Sequence, residues 1–395
     1  MNNYKETLAE KRGFLFTQIY LCKNVSILSH FNILDMEKKH LSYFKVNNFK
    51  RFDNLEVNNI GQFNLIVGDN NVGKTSLLEA LLFDESNYNQ FLSNIWNSLL
   101  QVRKLPFHNE ISKLFDQLDT TDFVSYFVKD KSQPITYNFK FKDGIIQKLS
   151  IKPINKADLL PTELNILGSK TFLHQTSNFL VKITTHNNSS DIRYTTFNKE
   201  KGSYDDYYPL ACFGLSYQHD LINFFSEVTK PNAQYDFITT EMRKQLPSLD
   251  KIDISTAFSK DFIVLAIREK NKEELMPISF YGDGLNKFFR YLLEIYLNKG
   301  KRLMIDEIDT GIHYSRMQSN FKSLIELAHN HKVQLFATTH SKECLEYYKE
   351  AIAELGLQEK ARIISMVEHK DKSIKTYTYT YEQFEHSLNA DNEIR

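Results

Sequence analysis

The chain has 395 residues, 42% hydrophobic and 25% charged, which suits one large globular domain or two ordinary ones. Its formal net charge is zero, which excludes a uniformly basic surface and restricts any nucleic-acid contact to a local patch. Three scattered cysteines (Cys22, Cys212 and Cys344) disfavour a zinc site or a disulfide framework and suit a reducing cytoplasm.

Residues 1–36 form an N-terminal extension before the first predicted strand. The apolar stretch 13–31 is interrupted by Gln18 and Lys23, and no cleavage site follows it, which disfavours a secretory signal. The sequence has no run of about 18 apolar residues, so we predict no membrane-spanning helix. Met36 is an alternative natural start, so residues 1–35 are either native or an upstream extension. We expect a cytoplasmic protein with no membrane partner.

The rest of the chain divides into three parts. Residues 37–83 predict strands followed by a helix from Thr75, and residues 277–395 alternate between helices and strands. These two parts predict one α/β sheet built from both ends of the chain. Residues 84–276 predict an α+β insertion, either the partner-binding part of the protein or a lid over the sheet.

The insertion contains a strong hairpin pattern, ITYNFKFKDGIIQKLSIK, with Asp143-Gly144 as a two-residue turn. Its lysines lie at even spacing, so they are predicted to share one face, because side chains alternate along a strand. They are Lys140, Lys142, Lys148 and Lys152. Such a face is either a small phosphate-binding stripe or a solvated strand surface.

The stretch GDNNVGKTS fits the phosphate-binding pattern G-x-x-x-x-G-K-[ST], with an apolar strand before it and a helix after it. Glycines let backbone amides turn around phosphate oxygens, and the helix amino end attracts the same anion. Lys74 is predicted to reach the β- and γ-phosphates of a nucleotide, and Thr75 to bind Mg²⁺. The predicted nucleotide-binding residues of this loop are Gly68, Asn70, Asn71, Val72, Gly73, Lys74, Thr75 and Ser76.

A second strand, LMI, ends in two carboxylates. Asp306 is predicted to bind Mg²⁺, and Glu307 to act as the general base that polarises the attacking water.

Three further segments follow the same order along the chain. Tyr281-Gly282-Asp283-Gly284 opens a helix, Asp309-Thr310-Gly311 follows the carboxylate pair, and Thr338-Thr339-His340-Ser341 follows a buried strand. His340 is either a structural histidine or a γ-phosphate sensor. Ser341 is a predicted N-cap.

The order of these segments resembles the ATP-binding heads of the ABC/SMC superfamily. LIVGDNNVGKTSLLEAL, YGDGLNKFFRYLL, LMIDEIDTGIHYS and VQLFATTHSKECL resemble, more narrowly, bacterial AAA-type ATPases related to the OLD (overcoming lysogenisation defect) proteins. Members of that group commonly serve in anti-phage defence operons, PARIS-type systems among them. The resemblance covers residues 41–83 and 277–395.

The resemblance implies an ABC-type P-loop ATPase head with a mixed sheet flanked by helices, using ATP and Mg²⁺. It implies a homodimer or larger homo-oligomer in which Gly282, Asp283 and Gly284 of one subunit cap the nucleotide of the other. Asp309 stands in the D-loop, the segment that follows the catalytic carboxylates in ABC heads. Lys50 stands where SMC heads tend to carry a basic residue near the phosphates, although it is equally explained as a solvated strand lysine. Gln90 and Gln101 are both candidates for the Q-loop.

We therefore expect a sensor or scaffold that controls a separate effector, a nuclease of TOPRIM or HNH type. We expect no nuclease activity in this chain, because Asp371 and Asp391 are isolated and do not form a cluster of acidic residues. The alternatives are a DNA-repair or recombination ATPase acting on DNA, with at most weak nucleic-acid contact, and a transporter motor.

Overall fold

The computed structural model of the protein describes residues 37–82, 127–130, 132–153, 178–185, 190–196, 210–211, 220–256 and 263–390. The N-terminal extension, both Q-loop candidates and Asp391 lie outside these ranges. The strands in the described ranges are β1 (Leu41–Phe49), β2 (Phe52–Val57), β3 (Phe63–Gly68), β4 (Ile135–Phe141), β5 (Ile146–Pro153), β6 (Asn178–Thr185), β7 (Ser190–Thr196), β8 (Leu210–Ala211), β9 (Leu249–Ser255), β10 (Val264–Glu269), β11 (Leu275–Pro277), β12 (Arg302–Ile305), β13 (Gln334–Thr338), β14 (Ala361–Glu368) and β15 (Ile374–Thr380).

The helices in the same ranges mostly connect or cover these strands. They are α1 (Lys74–Ala80), α2 (Asp220–Val228), α3 (Asn232–Gln245), α4 (Asp283–Leu297), α5 (Tyr314–Asn330), α6 (Lys342–Glu354) and α7 (Tyr381–Asn389). The Ser341 hydroxyl accepts from the amide of Cys344 at 3.1 Å, which confirms the predicted N-cap of α6. In the described part of the chain, no helix is both long and apolar enough to cross a membrane.

The central sheet is mixed, with strand order β15-β14-β3-β13-β12-β8. The pairs from β14 to β8 are parallel, and β15 is antiparallel to β14. Every residue of β3, β12 and β13 is buried, as expected for parallel strands covered on both faces. The carboxyl ends of β3, β12 and β13 therefore meet at one edge of the sheet.

Two hydrophobic cores lie on opposite faces of this sheet. Leu65 and Val67 belong to the core that contains residues of α2 to α7. Ile66 belongs to the core that contains α1 and the strands β1, β2 and β4. The alternation along β3 follows from the period of two of a strand, and it gives the α/β head three layers.

The range 84–276 contributes to both large sheets. The second sheet has the order β2-β1-β4-β5-β6-β7 and is antiparallel, with β4 paired directly to β1. The short strand β8 pairs with β12 at the edge of the central sheet. The central sheet joins β3 from the first part of the chain to β12–β15 from the last part, as predicted, and β8 is an unpredicted addition at its edge. A third sheet, β11-β10-β9, lies before α4.

The predicted hairpin is present as β4 and β5, but its turn has three residues rather than two. The Phe141 amide donates to the Ile145 carbonyl, and the Gly144 amide donates to the Phe141 carbonyl. Gly144 has a φ of 88°, which suits the left-handed position that closes such a turn.

The altered turn changes the predicted lysine face. Lys140 and Lys148 lie on the exposed face of the hairpin, opposite the buried Tyr137 and Phe139. Lys142 lies in the turn instead of on the strand, so the four lysines do not form one strand face. Lys152 belongs to β5 by its backbone.

Candidate nucleotide-binding site

The loop between β3 and α1 has the backbone geometry of a phosphate-binding loop. Gly68, Asn71 and Gly73 have positive φ angles of 143°, 62° and 106°. A Cβ at Gly68 would overlap the carbonyl oxygen of Met366 on β14, so the strand end admits only glycine. Successive turns of this kind at a helix start form an anion-binding concavity. Of the other predicted loop residues, Asn70 is exposed, Val72 is buried and Ser76 is half-buried on α1.

Lys74 is buried at the first position of α1. Its Nζ donates to the carbonyl oxygens of Gly68 at 2.7 Å and Asp69 at 2.9 Å. It also lies 3.4 Å from Nδ1 of His340, which follows β13. These hydrogen bonds compensate the cost of burying the ammonium group. The structure thus brings the predicted phosphate-binding lysine and the predicted sensor histidine together.

Asp306 follows β12 and meets Thr75 across the sheet edge. The Thr75 hydroxyl donates to Oδ2 of Asp306 at 2.9 Å, and the Thr338 hydroxyl donates to Oδ1 at 2.6 Å. A hydroxyl beside a carboxylate is the oxygen donor set that Mg²⁺ prefers, so the two predicted metal ligands fit that ion. Within the described ranges no group of three or more His, Cys, Asp or Glu side chains could hold a metal.

Glu307 has a backbone that few non-glycine residues adopt, with a φ of 51°. Its amide donates to the Thr338 hydroxyl at 2.8 Å. Its carboxylate accepts from the Thr310 hydroxyl at 3.3 Å. Hydrogen bonds on both the backbone and the side chain therefore fix the predicted general base beside Asp306.

Thr338 and Thr310 are the residues that the sequence analysis missed. In the segment ATTHS only His340 and Ser341 received roles, yet the Thr338 hydroxyl contacts both Asp306 and the amide of Glu307. The available signal was a hydroxyl in the last position of an otherwise apolar strand, where a buried polar group needs a partner.

The segment Gly282–Gly284 packs against the D-loop of its own chain. A Cβ at Gly284 would overlap the Gly311 carbonyl oxygen. The buried Lys287 of α4 donates through Nζ to the carbonyl oxygen of Thr310 at 3.0 Å. In the same loop, Asp309 accepts from the Thr339 hydroxyl at 2.8 Å. Signature segment, D-loop and β13 are therefore coupled within one subunit.

Lys50 lies in the turn between β1 and β2, with a φ of 50°. Its ammonium group forms an ion pair with Glu79, a buried residue of α1, so the side chain reaches that helix. The neighbouring Arg51 comes closer to the phosphate-binding loop, because its Cδ lies 3.3 Å from the position of a Cβ at Gly73. Arg51 pairs with Glu368 at 2.7 Å. Arg51 is thus a second basic residue beside the loop that the sequence analysis missed.

A phosphate-binding loop after β3, two carboxylates after β12 and a histidine after β13 define a P-loop ATPase domain. Residues 63–346 match the protein family described as "AAA domain, putative AbiEii toxin, Type IV TA system", and the chain belongs to that family.

The similarity to known proteins covers most of the chain. An "ATP/GTP phosphatase" of Helicobacter pylori (strain ATCC 700392 / 26695) is 25% identical over 361 residues, which cover 87% of this chain and 96% of the relative. Among solved structures, an Smc head bound to the C-winged helix domain of ScpA is 10% identical with a TM-score of 0.41, covering 87% of this chain and 99% of that one. An Smc head with an extended coiled coil, bound to the C-terminal domain of ScpA derived from Pyrococcus furiosus, is 9% identical with a TM-score of 0.42, covering 89% and 99%.

Proposed function

We propose that the chain binds and hydrolyses ATP with Mg²⁺, and that ATP joins two copies into a dimer that controls a separate effector protein. The observation that carries the proposal is the convergence of four residues at the carboxyl ends of three parallel strands. Hydrogen bonds link Thr75, Asp306 and Glu307, with Thr338 between the last two, and Lys74 lies beside them next to His340.

Each residue has a distinct task in this proposal. The Lys74 ammonium and the loop amides bind the phosphates. Thr75 and Asp306 hold Mg²⁺, which when bound neutralises charge on the β- and γ-phosphate oxygens. The Glu307 carboxylate orients the attacking water and accepts its proton. His340 contacts Lys74 at 3.4 Å, which supports a role as the sensor of the terminal phosphate.

Exposed aromatic residues support the dimer. Phe280, two residues before Gly282, is 74% exposed, and Tyr314, just after the D-loop, is 65% exposed. Gly284 and Gly311 are in contact, so both aromatic residues belong to the same region of the surface. Aromatic side chains are enriched in protein interfaces, and a second copy of this chain is the occupant that the composite ATP site requires.

A defence role is supported by the resemblance to OLD-related ATPases and by the family description, which names a toxin and a type IV toxin–antitoxin system. We propose a nuclease of TOPRIM or HNH type as the effector. The range 84–276 is the proposed contact region, since the motif surfaces are committed to the nucleotide and the second subunit.

Two variants test the core of the proposal. Lys74→Ala should lose ATP affinity at least a hundredfold by calorimetry, because it removes the main cationic partner of the phosphates. Glu307→Gln should keep that affinity and lose turnover by roughly 10²–10⁴-fold, the usual contribution of a positioned general base.

Light scattering of the Glu307→Gln variant with saturating ATP and Mg²⁺ should show a dimer, and the same variant without ATP should show less association. Equal ATP affinity of wild type and Lys74→Ala would refute the nucleotide site. A monomeric Glu307→Gln protein with ATP bound would refute the dimer alone.

A further inference from the structure

A cluster of basic residues lies at the sheet edge opposite the nucleotide site. Lys332 precedes β13, Lys360 and Arg362 lie at the start of β14, and Lys142 lies in the β4–β5 turn. The nucleotide-binding residues follow the other ends of β3, β12 and β13. Strands of four to six residues separate the two edges by about 13–20 Å. We call these four residues the basic edge.

Direct contacts hold the basic edge together. Nζ of Lys332 and Nζ of Lys360 contact the same oxygen, Oε1 of Glu37, at 2.9 and 3.1 Å. His40 donates through Nε2 to the Lys332 carbonyl oxygen at 2.7 Å, and its own carbonyl accepts from the Lys142 amide at 2.9 Å. These contacts fix the backbone segments that carry the lysines relative to one another.

Positive charge exceeds negative charge in this cluster. Arg362 donates to the carbonyl oxygens of Asn59, Glu359 and Ala361. In the part of the chain that the structure describes, neither Arg362 nor Lys142 forms an ion pair with a carboxylate. Desolvation lowers the pKa of Lys142, and the like charges of Lys360 and Arg362 lower it further against the opposite effect of Glu37. Repulsion of this kind is relieved when an anion binds.

We propose that the basic edge binds the phosphodiester backbone of a duplex nucleic acid. Two ammonium groups already converge on a single anionic oxygen of Glu37, so the site is preorganised for oxygen anions. Its cations stand on strand ends and a tight turn, which suits a rigid duplex, whereas single strands are bound through stacking aromatic residues. The chain is neutral overall, so this local excess of positive charge is distinctive.

The test compares two triple variants of the full chain. Lys142→Gln/Lys332→Gln/Lys360→Gln removes three charges from the basic edge. Lys230→Gln/Lys272→Gln/Lys322→Gln removes three charges from lysines that form surface ion pairs elsewhere. Affinity for a 20-base-pair DNA duplex, an RNA duplex of the same sequence and anionic phospholipid vesicles is measured between 50 and 200 mM salt, with ATPase activity as the check on folding.

The first variant should lose at least tenfold in duplex affinity at 50 mM salt, and its slope of log K against log salt should become shallower by about three. The control variant should match wild type. Glu37→Gln should act in the opposite direction and tighten duplex binding, because it removes the carboxylate that pairs with Lys332 and Lys360. Comparison of the affinities for the DNA duplex and the RNA duplex shows which of the two nucleic acids the basic edge prefers.

Equal losses in the two triple variants, or weaker duplex binding by Glu37→Gln, would overturn the proposal. A loss confined to the vesicles would also overturn it, because it would assign the basic edge to a membrane surface. These results are independent of the nucleotide site, whose residues all the variants leave unchanged.

Discussion

The hydroxyl of Thr338 donates to Asp306 across 2.6 Å, and the same oxygen accepts from the amide of Glu307 at 2.8 Å. A single side chain thus connects the proposed metal ligand to the proposed general base. Because Thr338 is 1% exposed, water cannot replace either hydrogen bond.

Thr338→Val keeps the shape of the side chain and removes both hydrogen bonds. Leaving buried partners unsatisfied costs roughly 1–3 kcal/mol, so we expect kcat to fall about tenfold to a hundredfold while ATP affinity changes little. Thr338→Ser retains the hydroxyl and should keep most of the activity. Thr378→Val, which removes a hydroxyl with no hydrogen-bond partner in the described structure, is the matched control. Wild-type kcat in Thr338→Val would show that Thr338 does not position the carboxylates.

At Gly284, helix propensity and packing predict opposite changes in stability on substitution by alanine. It lies in the first turn of α4, and alanine favours a helix over glycine by up to about 1 kcal/mol. The packing predicts the opposite, because the new Cβ would overlap the Gly311 carbonyl oxygen. Overpacking typically costs about 1–3 kcal/mol, so Gly284→Ala should unfold at lower urea concentration. A stabilised variant would contradict the observed contact between signature segment and D-loop.

The local chemistry of the site could be predicted from the sequence. The loop at Gly68, the carboxylates after β12 and the N-cap at Ser341 depend on neighbouring residues, and the structure has them where the patterns placed them. Partners distant in sequence could not be predicted. The contact between Thr338 and Asp306, and the pairing of β4 with β1, depend on which strands the fold places side by side. The prediction of a shared lysine face was wrong for a local reason, because the turn has one more residue than predicted and Lys142 lies in it.

The two exposed aromatic residues beside the signature segment predict an effect on dimerisation alone. Phe280→Ser/Tyr314→Ser should weaken ATP-dependent association of the Glu307→Gln protein at least tenfold, because buried aromatic anchors dominate interface energies. ATP binding by the monomer should persist, since neither side chain belongs to the phosphate-binding loop. Tyr377→Ser, which alters another exposed aromatic residue, on β15, is the control. Sedimentation velocity across protein concentrations measures the association, and unchanged association would separate these residues from the dimer contact.

The stability of the head should fall in mild acid because of a buried histidine. Burial lowers the pKa of His40 from its ordinary value of 6.5 to about 4, so the folded state favours the neutral imidazole. Between these two values the unfolded chain binds more protons than the folded one, and stability therefore rises with pH across that window. Each histidine of this kind contributes up to about 1.4 kcal/mol per pH unit.

Burial, with the charge of Lys299, also lowers the pKa of His331 to about 4, so its contribution has the same sign. At Glu37, burial raises the pKa, but hydrogen bonds from Lys332 and Lys360 lower it overall to about 2, so its contribution has the same sign and falls mostly below its ordinary value of 4.5, outside the interval from pH 5 to pH 7. Urea unfolding at pH 5 and pH 7 should show wild type less stable at pH 5. His40→Gln, whose amide can still donate to the Lys332 carbonyl, should reduce that difference, whereas His386→Gln on the exposed face of α7 should not. An identical pH difference in wild type and His40→Gln would show that His40 does not govern the acid sensitivity of the fold.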